Sequence, residues 1–304
     1  MQQNYGLEVK EIELFVQGVQ NTNYKINSQL GRFVFRVYNR KKINELRYTI
    51  NILSRLQVEK FPSPMLVSDK SGKIVLEFER LPCFLYYYLP GRNTESKAEK
   101  LLDQLGELQA RMHLALRDEK AESVLQNWDP DDLNKIIVHN KERLKFEYPL
   151  AQKKVCFIEE LIKQVSFSDQ LPQGGTHQDI KAENVLVDED IKICGIIDFD
   201  NGYYGTLLHD ITTTIVWYCF DNNSLNLKNL KFFLAGYERI RVLTDIERSS
   251  IHQAIKFRFL REAIIWYLYV GHDKERAEKT ADYFLGLYNN FSITEQALKD
   301  YLWT

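Results

Sequence analysis

The sequence predicts an α+β protein of two lobes, and three features of its 304 residues predict it. The first ninety residues alternate with the period of strands. Beyond Pro90-Gly91 the apolar residues recur at helical steps. One short hairpin signal then sits alone inside the helical part, between Thr176 and Asp198. The expected division is a strand-rich lobe over residues 1–89 and a larger, mainly helical lobe over residues 90–304.

Within the first lobe, Glu11 to Val19 alternates through Ile12, Leu14 and Val16. Asn23 to Ser28 and Arg32 to Tyr38 follow as two strands joined at Gln29-Leu30-Gly31. Lys41 to Leu56 has helical spacing, with Ile43, Leu46, Ile50, Leu53 and Leu56 on one side, and Pro62 and Pro64 stop it. Two further strands, Lys73 to Phe78 and Cys83 to Leu89, follow the Ser71-Gly72 turn. From Lys97, the residues Leu101, Leu105, Leu108, Met112 and Leu116 mark a helix. The hairpin pairs Val185-Leu186-Val187 with Ile193 to Ile197 around Asp188-Glu189-Asp190. Amphipathic helices are expected near Leu208–Phe220, Lys228–Arg241, Asp245–Val270 and Lys274–Asn290.

Composition excludes several classes. Apolar residues make up 44% and charged residues 27%, as in a globular protein, and the net charge of −2 with a pI near 6.3 offers nucleic acid no attraction. Cys83, Cys156, Cys194 and Cys219 form no C-x-x-C pair, so four reduced thiols are expected. Met1-Gln2-Gln3-Asn4-Tyr5 lacks the features of a signal peptide, and the longest apolar run, Ala263 to Val270, is too short to span a bilayer. A cytoplasmic protein with neither a membrane nor a nucleic-acid partner is expected. No G-x-x-x-x-G-K-[ST] occurs, which excludes a P-loop enzyme. His113 is expected as a helix-terminal core residue, and His252 and His272 have no partners at metal spacing.

The hairpin is flanked by the residues that carry chemistry. Phosphoryl transfer to a hydroxyl needs a carboxylate to orient the alcohol and take its proton, oxygen ligands for magnesium, and a cation on the phosphates. Magnesium accepts one or two side-chain oxygens and keeps several waters. His177-x-Asp179-x4-Asn184 offers a carboxylate and an amide on one loop, and Asp198 follows at the end of an apolar strand. The hairpin between them folds the chain back so that both face one cleft.

This arrangement resembles the catalytic and metal-binding loops of the protein-kinase-like superfamily, with its H-x-D-x4-N and later Asp. The resemblance implies a bilobal protein-kinase-like fold. It makes Asp179 the catalytic base, Asn184 and Asp198 magnesium ligands, His177 a brace of the loop and Asp210 its structural support. Asp200 is either a further ligand or a solvated turn residue. Arg32-Phe33-Val34-Phe35-Arg36-Val37 resembles the third strand, with Arg36 as the phosphate cation; an exposed edge-strand arginine is the alternative. The helix carboxylate that should pair with this cation falls at Thr49, so Glu45, one turn earlier, is the substitute. The backbone of Tyr86 to Leu89, including Tyr88, is the implied adenine hinge, with Leu186 beneath the base and Lys181 among the nucleotide-binding residues.

Asp179-Ile180-Lys181-Ala182-Glu183-Asn184 by itself is close to the D-L-K-P-E-N of Ser/Thr protein kinases. Against that branch, no G-x-G-x-x-G precedes the second strand, Phe199-Asp200 stands for Phe-Gly, and no A-P-E follows. These features resemble instead the small-molecule branch, the aminoglycoside phosphotransferase/choline kinase superfamily. Gln20-Asn21-Thr22-Asn23-Tyr24, Gly195-Ile196-Ile197-Asp198-Phe199 and Tyr204-Gly205-Thr206-Leu207-Leu208-His209-Asp210-Ile211 resemble its homoserine-kinase-like subgroup. The implied reaction moves the γ-phosphate of ATP, or of GTP, with Mg2+ to a small-molecule hydroxyl. A homoserine-like or amino-alcohol acceptor is favoured over an aminoglycoside or other sugar. Tyr203, Tyr204, Asp210, Trp217, Arg258, Arg261 and Glu262 are candidates for its pocket, with core packing as the alternative for Trp217 and an ordinary i,i+4 pair for Arg258 and Glu262. A regulatory module without catalysis would predict loss of Asp179 or Asp198, and both are present.

Overall fold

Strand alternation in the first lobe yields an antiparallel sheet. In the computed structural model, which describes residues 1–17, 21–120, 128–269 and 273–303, a short helix α1 (Gln2–Tyr5) precedes β1 (Val9–Gln17), β2 (Asn21–Ser28) and β3 (Gly31–Tyr38). The predicted residues Gly18, Val19, Gln20, Val270 and His272 lie outside those described. The single helix expected over Lys41–Leu56 is a 3₁₀ turn, Ile43–Leu46, followed by α2 (Arg47–Val58). The α2 residues Tyr48, Thr49, Ile52, Leu53 and Leu56 are buried, one helical face against the sheet. Then come β4 (Leu66–Val67), β5 (Leu76–Phe78) and β6 (Leu81–Tyr87). The sheet runs β1-β2-β3-β6-β4, with β5 also on β6. Thus β3 is internal, and the edge-strand alternative for Arg36 falls.

Side-chain alternation divides β3 between two faces. Phe33 joins Leu7, Ile26 and Leu85 in a small core on the outer face, with Phe35 against it. Val34 packs toward the main core, and Arg36 lies on that same inward face of the strand.

Past the hinge, β7 (Arg92–Asn93) joins a different sheet, order β10-β9-β7, with β9 (Val185–Val187) and β10 (Ile193–Ile196) as the predicted hairpin. Gly91 permits this exit. Its φ is +133°, and a Cβ there would sit 2.6 Å from the Cys194 sulfur.

The helical lobe comprises α3 (Glu99–Ala115), α4 (Pro130–His139), α5 (Lys141–Glu147), α6 (Gln152–Lys163), α7 (Leu207–Tyr218), α8 (Leu227–Glu238), α9 (Asp245–Tyr269), α10 (Lys274–Asn290) and α11 (Glu295–Trp303). It also carries β8 (Gln173–Gly175), β11 (Tyr204–Thr206) and the small β12 (Phe220–Asp221)–β13 (Ser224–Leu225) hairpin. Expected amphipathic, α7 is instead buried on nearly every side, and α9 is so over its second half. Both are enclosed by neighbours: α7 by α3, α8 and α9, and α9 by α4, α6, α10 and α11. A Cβ at Gly106 would lie 2.0 Å from the Phe233 carbonyl oxygen, and one at Gly236 2.0 Å from that of Asp103. Helices α3 and α8 therefore touch backbone to backbone. No described helix is long and apolar enough to cross a membrane.

Candidate active site

The pairing of β8 with β11 closes residues 176–203 into one loop system with the hairpin inside it. Ile197 N–H donates to the Asn184 carbonyl at 2.9 Å, which joins the end of the hairpin to the loop that begins it. His177 completes the junction. Its Nδ1 accepts the Asp179 N–H at 3.2 Å, its Nε2–H donates to the Ile197 carbonyl at 3.0 Å, and its ring packs 4.5 Å from that of Phe199. With both ring nitrogens engaged, His177 braces the loop and has no nitrogen left to take a substrate proton.

Asp179, Asn184 and Lys181 are brought together. Asn184 Nδ2 donates to the Asp179 carbonyl at 2.7 Å and to its Oδ2 at 3.1 Å, while Lys181 Nζ lies 3.2 Å from Oδ1. Burial raises the Asp179 carboxyl above its ordinary range although Lys181 opposes this, and Asp198 and Glu262 add to the rise. A carboxylate so raised is the stronger base.

Two residues here have left-handed backbones without being glycine: Gln178 at φ +66° and Asp198 at φ +68°. Each stores about 1–3 kcal/mol of strain, held by the surrounding contacts, and each lies in one of the two candidate loops.

From β3, Arg36 meets the loop that follows the hairpin. Its Nη2 is 2.7 Å from Asp198 Oδ1 and 2.9 Å from Asp200 Oδ2. Burial works against its charge, but Asp200 first and then Asp198 raise the guanidinium well above its usual range. Burial likewise disfavours the Asp198 carboxylate, yet Arg36, with His177 and Lys181 behind it, holds that group below the usual range. Asp200 is not a solvated turn residue: it is 5% exposed, and its oxygens accept from Tyr38 Oη at 3.0 Å and Asn21 Nδ2 at 2.8 Å.

Glu45 does not take the place expected for it. Its carboxylate accepts the Lys42 N–H at 2.5 Å and closes the first turn of the 3₁₀ segment, while Arg36 is paired with Asp198 and Asp200. Glu45 lies one turn before Thr49, inside the 3₁₀ segment, where its side chain caps the Lys42 N–H.

The hinge is more occupied than expected. Tyr86 is flanked by β3 and β4, and its hydroxyl lies 3.2 Å from that of Tyr38. The N–H groups of Tyr87 and Tyr88 donate to the Met65 and Arg32 carbonyls. The Tyr88 ring is under the Arg32 guanidinium at 4.5 Å, on the outer part of the sheet. Leu89 and Leu186 both lie over Gly195, where a Cβ would be 3.2 and 3.6 Å from their methyl carbons.

Asp210, expected as a support, is fully buried at the centre of a polar node. Its Oδ1 accepts the Gln178 N–H at 2.5 Å, and its Oδ2 accepts from His113 Nε2 at 2.8 Å and Gln109 Nε2 at 3.1 Å. Burial opposes ionisation, but His113 and these donors lower the carboxyl to about 2. His113 is thus a core residue, with Tyr237 Oη 2.6 Å from its Nδ1. His252 bonds the Ile293 carbonyl at 2.9 Å.

Beside Gln178 lie two buried arginines of α9. Arg261 Nη1 donates to Gln178 Oε1 at 2.6 Å, and Arg258 Nη2 reaches the Gln178 carbonyl at 3.4 Å and pairs with Glu262. Arg258 Nε and Nη1, Arg261 Nε and Gln178 Nε2 have no hydrogen-bond partner among the described residues. Burial, with Arg258 alongside, pushes the Arg261 guanidinium down to about 10. Trp217 is half-buried, its ring against Phe284 and 6.0 Å from Lys181 Nζ.

One amide and one carboxylate suit a magnesium ion that keeps its waters. Asn184 turns its nitrogen to Asp179, which leaves its oxygen without a protein donor among the described residues. Asp198 has one oxygen on Arg36 and a side chain 36% exposed. The donor set fits the ion. Sequence reasoning missed the shell of Asn21, Tyr38 and Lys41 around Asp200, for which no contiguous motif exists.

The family model described as the phosphotransferase enzyme family (APH) matches residues 11–243. The homoserine kinase of Caulobacter sp. (strain K31) is 29% identical over 237 residues, 77% of this chain and 73% of the relative. That of Methylobacillus flagellatus is 27% identical over 254 residues, 80% of this chain and 75% of the relative. Among solved structures, an amicoumacin kinase in complex with AMP-PNP, Ca2+ and Ami is similar at a TM-score of 0.70 and 15% identity, covering 98% of this chain and 94% of its own. A Plasmodium vivax ethanolamine kinase is similar at a TM-score of 0.58 and 12% identity, covering 91% and 81%. These structures share the protein-kinase-like fold, and with the family match over most of its length the chain belongs to the phosphotransferase enzyme family as an ATP-dependent small-molecule kinase.

Proposed function

We propose that the enzyme transfers the γ-phosphate of Mg-ATP to the side-chain hydroxyl of a homoserine-like amino acid. The observation that carries the acceptor class is the pair of buried arginines, Arg258 and Arg261, beside the residue that precedes Asp179, with Glu262 as their one paired carboxylate among the described residues. Buried cations with unused N–H groups suit a carboxylate, which guanidinium binds in a two-pronged manner. Glu262 offers the complementary site for an ammonium group. An aminoglycoside is polycationic and would meet the wrong sign of charge here.

In this reading Asp179 orients the acceptor hydroxyl and takes its proton, with Lys181 next to it for the transferred charge. Arg36 meets the phosphates, and Leu89 and Leu186, both over Gly195, lie beneath the adenine. Asn184 and Asp198 would hold magnesium, which would supply positive charge against that of the phosphates. Homoserine-kinase relatives at 27–29% identity support the same acceptor.

The test is ADP release from Mg-ATP and Mg-GTP against homoserine, amino alcohols without a carboxylate, choline, sugars and aminoglycosides. Homoserine-like acceptors should be preferred by at least tenfold in kcat/KM over their decarboxylated analogues. Asp179→Ala should lower kcat by about 10²–10⁴-fold with nucleotide affinity retained. Wild-type turnover in that variant would sink the assignment, and preference for an aminoglycoside would overturn the acceptor.

A further inference from the structure

We infer that Asp200 is the carboxylate that positions Arg36 for the nucleotide phosphates, a duty that in protein kinases falls to a glutamate on the helix after the third strand. The inference rests on the reading of Arg36 as the phosphate cation and extends it to the group that aims it.

The helix cannot supply this carboxylate. Thr49 occupies the expected position, 1% exposed, and its hydroxyl has no partner among the described residues. Glu45 caps the Lys42 N–H. Asp200 comes instead from the turn after Asp198, a 3₁₀ segment over Phe199–Asn201 against which α2 packs.

The surroundings of Asp200 suit a fixed anchor rather than a metal ligand. Arg36 Nη2 is 2.9 Å from Oδ2, Asn21 Nδ2 donates to Oδ2 at 2.8 Å, and Tyr38 Oη donates to Oδ1 at 3.0 Å. Lys41 Nζ holds the backbone carbonyl at 2.7 Å. Both oxygens are thus engaged by side chains from β2 and β3. Asp198 differs: one oxygen is on Arg36, and the side chain is a third exposed. Were Asp198 to turn its oxygens to a metal, Arg36 would still keep Asp200, so its charge would never stand buried and alone. Asp200 is a positioning residue: it acts through Arg36 and touches neither phosphate nor acceptor.

The test compares ADP with adenosine, which lacks the phosphates, by calorimetric titration of the full chain. Asp200→Asn keeps the shape and removes the charge. It should weaken ADP about tenfold or more and leave adenosine within about twofold. Arg36→Ala should show the same split, and Arg36→Ala/Asp200→Asn should bind ADP no more weakly than Arg36→Ala, because the two act as one unit. Tyr38→Phe removes one donor to Asp200 with every charge in place. It should weaken ADP about two- to threefold with adenosine again unchanged, and it serves where Asp200→Asn does not fold. Equal loss of adenosine and ADP in these variants would make Asp200 merely structural and overturn the inference. So would ADP affinity unchanged in Asp200→Asn while Arg36→Ala loses it. If Arg36→Ala itself binds ADP as the wild type does, the reading of Arg36 falls first and takes the inference with it.

Discussion

Arg36, largely buried against the Asp198 loop, and the buried Arg258–Arg261 pair beside Gln178 are cations whose charge balance is reversed. Arg36 is one guanidinium against two carboxylates, and its positive charge is strongly favoured. Arg258 and Arg261 are two guanidiniums against Glu262, and Arg261 is pushed down to about 10. Buried charge left uncompensated is costly, so a protein retains it where something else supplies the balance. The surplus of carboxylate at Arg36 suits a site whose acidic loop is to receive a metal cation. The surplus of guanidinium by Gln178 suits a site that receives an anionic group.

Removing one cation from each group should affect the two substrates separately. Arg36→Ala should lower kcat/KM for ATP by about 10²-fold and leave the acceptor KM nearly unchanged. Arg261→Met keeps the buried volume and should raise the acceptor KM about tenfold or more with ATP parameters intact. Steady-state kinetics in both substrates reads this directly. If both variants alter the same KM, the two sites are not distinct.

A smaller effect sharpens the description of the arginine pair. His209 is buried beside it, and burial, then Arg261 and Arg258, lower its imidazole to about 3. A histidine whose folded value lies below its unfolded value takes up a proton on unfolding, so acid favours the unfolded chain. Between pH 6.5 and about 3 this group should remove about 1.4 kcal/mol of stability per pH unit. His209→Phe, between the rings of Phe167 and Phe257, should lose that slope in denaturant titrations at stepped pH. A slope unchanged from the wild type would mean that His209 is charged or exposed.

The smallest expected effect belongs to Glu45. Glu45→Gln should change stability by no more than about 0.5–1 kcal/mol, as for a lost cap, and should not alter the ATP KM. A tenfold rise in that KM would make Glu45 the working partner of Arg36 and undo the charge count on that side.

Much of this was legible from the residues because it is contiguous. The loop from His177 to Asn184, the hairpin and Asp198 are one run of chain, and long periodic segments such as Glu99–Ala115 and Lys274–Asn290 declare themselves. The strands Leu66–Val67 and Arg92–Asn93 are two residues each, too short to show a period, and form only because neighbouring strands accept them. The amphipathic reading of α7 and α9 failed because other helices surround them. Asp200 was ambiguous for a topological reason: its partners Asn21, Arg36, Tyr38 and Lys41 precede it by roughly 160–180 residues. No local pattern marks a carboxylate whose partners lie so far away along the chain.

The exit from the hinge has a mechanical consequence. Arg92 and Asn93 pair with Val187 and Leu186, and Asn93 Nδ2 also donates to the Glu183 carbonyl at 2.6 Å. The connecting strand is therefore fastened to the hairpin that carries Asn184, and the Tyr88 N–H is fastened to Arg32 on the other side. Only Leu89, Pro90 and Gly91 lie between the attachments at Tyr88 and Arg92, four steps of chain that span at most about 14 Å. So short a link, beside the bonds from Arg36 to Asp198 and from the Ile196 N–H to the Pro62 carbonyl, leaves the sheet and the hairpin little room to slide past one another. Leu186, whose strand is sewn to the far end of the link, is thereby kept within that reach of the sheet.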